Sequence, residues 1–213
     1  MRKVSAIIPA YNEEGGIGLV IMACQRNQLI SEIIVVDDGS KDLTSLVAED
    51  LGATVYSYGS NKGKAFALLH GCKQAKEDVL LLLDADLIGL LDNHITDLIQ
   101  PVLSGEADST IGLFTGGRLK TDLAHALTPN LSGQRCIRKN FMLSLASYAS
   151  ARYGIEVAIT RHQNKENKVV KKVYLENVTH TMKEEKTGRE KGFLSRMQMY
   201  KDILKHILNR RKK

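Results

Sequence analysis

The chain has 213 residues, 43% of them hydrophobic, and a formal net charge of +6. Three scattered cysteines, Cys24, Cys72 and Cys136, exclude a disulfide framework and fit a reducing cytosol. The longest apolar run, VLLLLDADLIGLL, carries two aspartates and falls short of the ~18 residues of a membrane span, while Pro9 and the acids after it interrupt any signal-peptide pattern. The length suits one domain, or one with a short appendage, burying roughly 70% of its unfolded surface. Residues 188–213 hold nine Lys/Arg against two acids, so the basicity belongs to the C-terminal segment and the remainder is near neutral.

Val4–Ile8 reads as a short buried strand, followed by a loop over Pro9–Glu14 and a helix from about Ile17 to Asn27. Glu32–Val36 is a second strand, closed by DDGSKD, with Ser40 as N-cap of a helix near Leu43–Leu51. Thr54–Tyr58 is a third strand, GSNKGKA turns into a helix over Ala65–Ala75, and Asp78–Leu83 is a fourth strand. Strands alternating with helices of about ten residues predict βαβ units, hence an α/β fold with a mostly parallel sheet and helices on both faces.

Beyond Asp86 the rhythm loosens. LLDNHITDLIQPVLSG predicts a helix ending at Pro101, STIGLFTGG a strand leaving the sheet, and RLKTDLAHALTPNLSGQR a loop-rich stretch. Helices over Lys139–Arg152 and Ile155–His162 follow, then VVKKVYL as a half-exposed strand leading to ENVTHT. The domain reading is a catalytic domain over 1–187 and a basic amphipathic helix over 188–213, with no internal repeat.

The chemistry gathers at strand ends, where open α/β sheets bind ligands. Asp84 and Asp86 lie two apart at the end of LLLL, so an extended backbone points both to one side. Carboxylates held close repel unless a cation joins them, and hard oxygen ligands favour Mg²⁺ or Mn²⁺. The same pair also reads as a polar turn after a buried strand. Lys62 and Lys64 flank Gly63 at a helix start, which suits an anion such as a diphosphate or simply a solvated turn. Asp37 and Asp38 precede Gly39, where a carboxylate serves a nucleoside or an Asx-type turn. Tyr11 offers a stacking ring and Glu13 a hydroxyl acceptor, in a loop that would also carry them without function.

Four stretches, IIPAYNEE, VVDDGSKD, NKGKAFAL and LLLLDADL, stand in one order, and LSGQRCIRK and YGIEVAIT follow. Together they resemble family 2 glycosyltransferases of the GT-A (Rossmann-like) fold, nearest the branch of dolichyl-phosphate-mannose and glucosyl-3-phosphoglycerate synthases, over roughly Val4 to His180. The resemblance implies a nucleotide-diphosphate sugar donor, UDP-linked, and Mg²⁺ or Mn²⁺. On that likeness Pro9, Ala10, Tyr11 and Glu13 line the nucleoside and Asp38 meets the base. Lys64 approaches the diphosphate, Asp84 the ribose or sugar, and Asp86 binds the metal. Glu156 lies near the donor sugar, and Gly133, Gln134 and Arg135 fall in the loop facing sugar and acceptor. His180 is similar to the histidine that completes the metal site in several such enzymes, although a lone histidine after a strand also reads as a surface or cap residue. DADLIGLL departs from the dolichyl-phosphate-mannose branch, which continues with Gln and Pro.

The implied reaction is transfer of a hexose to a hydroxyl or phosphate acceptor, with Asp86, Glu156 and Arg135 as its catalytic residues. Glu156 is the base in an inverting course and a sugar-hydroxyl ligand in a retaining one. A sugar-phosphate nucleotidyltransferase shares the parallel sheet and acidic metal site, but its Gly- and Arg-rich triphosphate loop is replaced here by PAYNEEGGIG. The expected partners are a nucleotide-sugar donor, an acceptor the sequence does not name and a second copy of the chain, with no nucleic acid; the expected location is cytoplasmic, peripheral at the membrane through the last helix. In that segment Phe193, Met197, Tyr200, Leu204 and Ile207 step along one helical face, for packing on the domain or for lying on anionic lipid. Liposome co-sedimentation with and without residues 188–213 separates these: lipid contact expects pelleting that needs the segment, and equal binding by both rules it out.

Overall fold

The computed structural model describes residues 3–116, 132–148 and 154–180. The expected C-terminal helix, the 187/188 boundary and most of the loop-rich stretch lie outside the described residues. The elements are β1 (Val4–Ala10), α1 (Ile17–Arg26), β2 (Ile30–Asp37), α2 (Thr44–Asp50), β3 (Thr54–Ser57), α3 (Lys64–Gln74), β4 (Val79–Leu82) and β5 (Leu87–Ile88). They continue as α4 (Asp92–Leu103), β6 (Ser109–Thr115), β7 (Arg135–Arg138), α5 (Lys139–Ser144), a 3₁₀ turn (Ala146–Tyr148), α6 (Ile155–Lys165), β8 (Val170–Glu176) and β9 (Thr179–His180).

Seven strands form one sheet in the order β3-β2-β1-β4-β7-β6-β8. The β3-β2-β1-β4 half is parallel throughout, as the βαβ rhythm predicts. β7 runs antiparallel to both neighbours, and β8 parallel to β6. Every residue of β1 and β4 is buried, because helices cover both faces of the central strands. One face of the sheet meets α3, α5 and α6 through Ile7, Ile34, Val36, Leu80 and Leu82. Among the described residues no helix is long and apolar enough to cross a membrane.

Several expectations need correction. STIGLFT does not leave the sheet: β6 lies between β7 and β8 and is buried over Ser109–Phe114. Its Ser, Thr and Gly residues disguise a core strand, and the Thr110 hydroxyl is satisfied by the Leu98 carbonyl at 2.7 Å. Pro101 does not end its helix, since α4 runs on to Leu103. Burial of Ile95, Leu98, Ile99 and Val102 offsets the one missing N–H near the helix end. Ser40 does not cap α2, whose N-cap is Leu43; its hydroxyl accepts instead from the Asn12 N–H at 2.8 Å. The helix expected from Lys139 breaks at Ser144 into the 3₁₀ turn. The two-residue strands β5 and β9 had no signal in the sequence pattern, and they place part of the site.

α3 sits close to the sheet because Gly71 faces it: a Cβ there would lie 2.6 Å from Ile7 Cγ2 and 3.0 Å from Val36 Cγ2. Both partners are β-branched and stiff at χ1. Gly71→Ala gains about 1 kcal/mol of helix propensity and loses about 1–3 kcal/mol to overpacking. A net loss of about 1 kcal/mol is expected, lowering Tm by roughly 2–4 °C in a thermal melt.

Candidate active site

The first wall of the site is the chain leaving β1. Residues 12–14 are laced to the β2–α2 loop: Lys41 N–H donates to Asn12 Oδ1 at 2.8 Å, Glu13 N–H to Thr44 Oγ1 at 2.8 Å and Leu43 N–H to Glu14 Oε2 at 2.9 Å. Asn12 holds a left-handed conformation, φ 55°, which an Asx residue tolerates. Gly16 permits the next approach, since a Cβ there would lie 2.9 Å from the Ala85 carbonyl oxygen. Loop and β4 terminus therefore close upon each other. A cleft of about 410 Å³ opens there, lined by Pro9, Ala10, Tyr11 and Glu13 from the β1 end and by Lys64, Asp84, Asp86 and His180 from later elements, with Ala85 between the aspartates. That volume falls in the range of small-ligand sites.

Asp84 and Asp86 both line this cleft but do not extend from a strand. β4 stops at Leu82, and the chain turns at Ala85–Asp86. Each carboxylate accordingly has its own partner. Lys64 Nζ lies 2.6 Å from Asp84 Oδ1 and 2.8 Å from Glu156 Oε1, and His180 Nδ1 lies 2.9 Å from Asp86 Oδ1. Asp84 also accepts from Gln134 Nε2 at 2.8 Å. Burial works against charge on Asp84, but Lys64 outweighs it and, with His180 and Gln134, holds the carboxyl below the usual aspartate range. Burial likewise opposes the Lys64 ammonium, and Asp84 and Glu156 overcome it, raising the lysine above its ordinary value. His180 follows the same pattern: desolvation disfavours its charge, and Asp86, by hydrogen bond and by charge, raises it.

Other sequence-predicted residues stand behind the cleft. Asp38, 3% exposed, spends its two carboxylate oxygens on the N–H groups of Lys62 and Gly63, each at 2.7 Å, and so fixes the start of α3 that carries Lys64. Gly133 passes under Asp84: a Cβ would lie 2.6 Å from its Oδ2, so only glycine fits. Arg135 is 1% exposed, donating through Nε to the Ser132 carbonyl at 3.0 Å and through its guanidinium to Thr160 Oγ1 at 3.1 Å. Burial lowers its pKa to about 10 against the pull of Glu156. The structure thus brings Pro9, Ala10, Tyr11, Glu13, Lys64, Asp84, Asp86 and His180 onto one cleft. Glu156 joins through Lys64, Gln134 through Asp84, and Asp38 and Arg135 lie in the support. Gly16, Ala85 and Ser132, whose hydroxyl donates to Gln134 Oε1 at 2.8 Å, were not anticipated. The doubled glycine after two acids was the available signal for Gly16.

Among the described residues, no three His, Cys, Asp or Glu side chains gather around one point. Asp86 and His180 are the pair suited to a cation: a carboxylate oxygen of the kind Mg²⁺ and Mn²⁺ take, with an imidazole nitrogen beside it, leaving most of an octahedral shell to water and phosphate oxygens.

The family model for glycosyl transferase family 2 matches residues 5–155. Glucosyl-3-phosphoglycerate synthase of Mycobacterium tuberculosis is 30% identical over 74% of this chain and 60% of its own length. The 4,4'-diaponeurosporenoate glycosyltransferase of Staphylococcus haemolyticus is 34% identical over 46% of this chain and 28% of its own. The chain therefore spans less than two thirds of the length of these relatives. Among solved structures, the M. tuberculosis synthase in complex with Mn²⁺, UDP-glucose and phosphoglyceric acid superimposes with TM-score 0.71 at 27% identity, covering 85% of this chain and 72% of that one. The same enzyme with Mg²⁺ and UDP gives TM-score 0.71 at 28% identity.

Asp84, with its carboxyl held below the ordinary 3.8, contributes stability present above that value and lost as pH falls through the lower folded value. Lys64→Met leaves two part-buried carboxylates facing each other. A loss of about 1–3 kcal/mol is expected near pH 7, between the values for exposed and buried pairs. The deficit should shrink toward about pH 4 as Asp84, deprived of its lysine, takes a proton, which urea unfolding at both pH values measures.

Proposed function

The chain belongs to glycosyl transferase family 2, and we propose that it moves a hexose from a nucleotide-diphosphate sugar, UDP-linked, to a hydroxyl or phosphate acceptor with Mg²⁺ or Mn²⁺. The observation that carries this reading is the Asp86–His180 pair, 2.9 Å apart, on the same cleft as Lys64. Asp86 and His180 would hold the ion, whose chemistry when bound is Lewis-acid neutralisation of the departing diphosphate. The neighbours that carry UDP with Mn²⁺ or Mg²⁺ support that choice of donor and ion.

The residues of this chain do the rest. Pro9, Ala10, Tyr11 and Glu13 receive the nucleoside; the Tyr11 ring, 43% exposed, is available to stack on a base. Asp38 acts from behind, by holding the backbone of Lys62 and Gly63. Lys64 has three donors, of which Asp84 and Glu156 engage two, so it can add a phosphoryl oxygen without surrendering both. Asp84, kept anionic and fixed by Gln134 over Gly133, faces the ribose or sugar. Glu156 takes its place toward the sugar through Lys64, and the buried Arg135 beneath it supplies positive potential and support. As charge develops on the leaving diphosphate, a preorganised cation such as Lys64 stabilises it without reorganising.

The test is a screen of nucleotide-sugar turnover with Mn²⁺ or Mg²⁺. UDP-hexose turnover should appear and fall about 10²–10³-fold in Asp86→Ala, the usual cost of removing a group that stabilises transition-state charge. Pyrophosphate release from a nucleoside triphosphate and a sugar phosphate, with no UDP-hexose turnover, would reject the glycosyl-transfer reading.

A further inference from the structure

Two separate strand ends must meet for Asp86 to find His180. Asp86 immediately precedes β5, and His180 closes β9; the two-residue strands pair antiparallel, with Leu87 opposite His180 and Ile88 opposite Thr179. So short a ribbon, four residues in all, has little hold of its own. What precedes β9 is a single turn at Asn177. β8 runs beside β6 until Thr115 pairs with Glu176; then Asn177 turns with φ 58°, its N–H donating to the Thr115 carbonyl at 2.8 Å.

That turn is seated on two glycines that are themselves left-handed. Gly89, at φ +83°, lies directly after β5, and a Cβ on it would fall 2.5 Å from the Asn177 carbonyl oxygen. Gly116, at φ +70°, lies just after β6, and a Cβ on it would fall 3.2 Å from Asn177 Oδ1. The ends of β5, β6 and β8 thus converge on one residue. Beyond it Val178 is fully buried, and the Phe114 ring of β6 meets the His180 imidazole edge-on, with centroids 4.9 Å apart. Once Asn177 has turned, little freedom remains in where the imidazole lies. Nothing in the proposed reaction explains this device, since Asn177, Gly89 and Gly116 do not line the cleft.

We propose that Asn177 is the positioning residue for His180: its left-handed turn, seated on Gly89 and Gly116, sets the imidazole beside Asp86 in the geometry that takes a divalent ion. The role of the ion rests on the reading under Proposed function; the placement of the ring does not. An asparagine or glycine adopts the required φ readily, whereas a β-branched side chain there is a genuine outlier. The arrangement fits preorganisation, in which second-layer contacts fix the orientation of a ligand and their loss commonly costs 10- to 100-fold in metal affinity.

The experiment compares Asn177→Val with Asn177→Gly in the full chain by two readouts. The first, without metal, is the NOE between the ring protons of His180 and Phe114. It should vanish in Asn177→Val and persist in Asn177→Gly. The second is Mn²⁺ affinity in the presence of UDP, followed by the EPR signal of free Mn²⁺. It should weaken about tenfold or more in Asn177→Val and stay within about twofold in Asn177→Gly. If Asn177→Val does not fold, Gly89→Ala is read in its place, because its methyl pushes on the same carbonyl. An NOE that persists in the valine (or alanine) variant overturns the positioning role. A lost NOE with unchanged Mn²⁺ affinity leaves the placement of the ring standing and overturns the claim that this placement serves the ion. A His180→Ala protein that binds Mn²⁺ as the wild type does contradicts the proposed metal site instead, and with it the purpose given to the turn, while the NOE still decides whether Asn177 places the ring.

Discussion

One ammonium group joins three parts of this site that lie far apart in the chain. Lys64, at the first position of α3, reaches Asp84 beyond β4 and Glu156 in the first turn of α6. The two carboxylates are only 18% and 15% exposed and would repel without it. The position of that ammonium is set in turn by Asp38, which ties the N–H groups of Lys62 and Gly63 to the end of β2. Because β2, β1 and β4 are adjacent and parallel, their carboxyl ends lie on one edge, and the charges on that edge must be balanced there. Sheet order therefore dictates the electrostatics: acids collect where the parallel strands end, and α3 brings the cation back to them.

The parallel half of the fold was legible because its strands are unbroken apolar runs closed by turn residues, and its helices carry a clear period. The second half was less so, for identifiable reasons. β6 mixes Ser, Thr and Gly into a buried strand, and its polar side chains find partners that no local pattern reveals, as when the Gln163 amide donates to Ser109 Oγ at 2.7 Å. Pro101 is a helix breaker by local rule and is carried by the apolar face of α4. β5 and β9 are two residues each, too short to show alternation, and they form because the Asn177 turn delivers one to the other.

For the site, the residues that local chemistry flagged do converge, because acids and lysines after buried strands have few structural reasons to be there. What local spacing could not give is which acid meets which partner; the division between Asp84 and Asp86 came only from the resemblance. Asp84 and Asp86, two apart, looked like a single claw; the turn at Ala85 separates them, and each takes a different partner, Lys64 in one case and His180 in the other. The supporting glycines were equally silent. Gly133 and Gly16 matter for what a side chain would strike, Asp84 in one case and the Ala85 carbonyl in the other, and only the assembled backbone shows that.

The acids of this edge divide by the kind of group that balances them. Asp38 is bonded to two backbone N–H groups, and Asp37 to the Ser40 N–H at 2.9 Å and the Ser45 hydroxyl. Hydrogen bonds to a charged group are worth about 1.5–3 kcal/mol each, and these hold loops in shape, so Asp37 and Asp38 cannot change partners without releasing backbone. Asp84 and Asp86 are balanced by side chains, Lys64 and His180, both part-exposed on the cleft. Each of these contacts is made by a side chain on the cleft and ties down no backbone. An incoming cation or anion could rearrange them while the loops beneath stay tied. Scaffold charge and exchangeable charge thus sit a few residues apart on one edge, and that separation allows a ligand to be exchanged without loosening the fold that holds it.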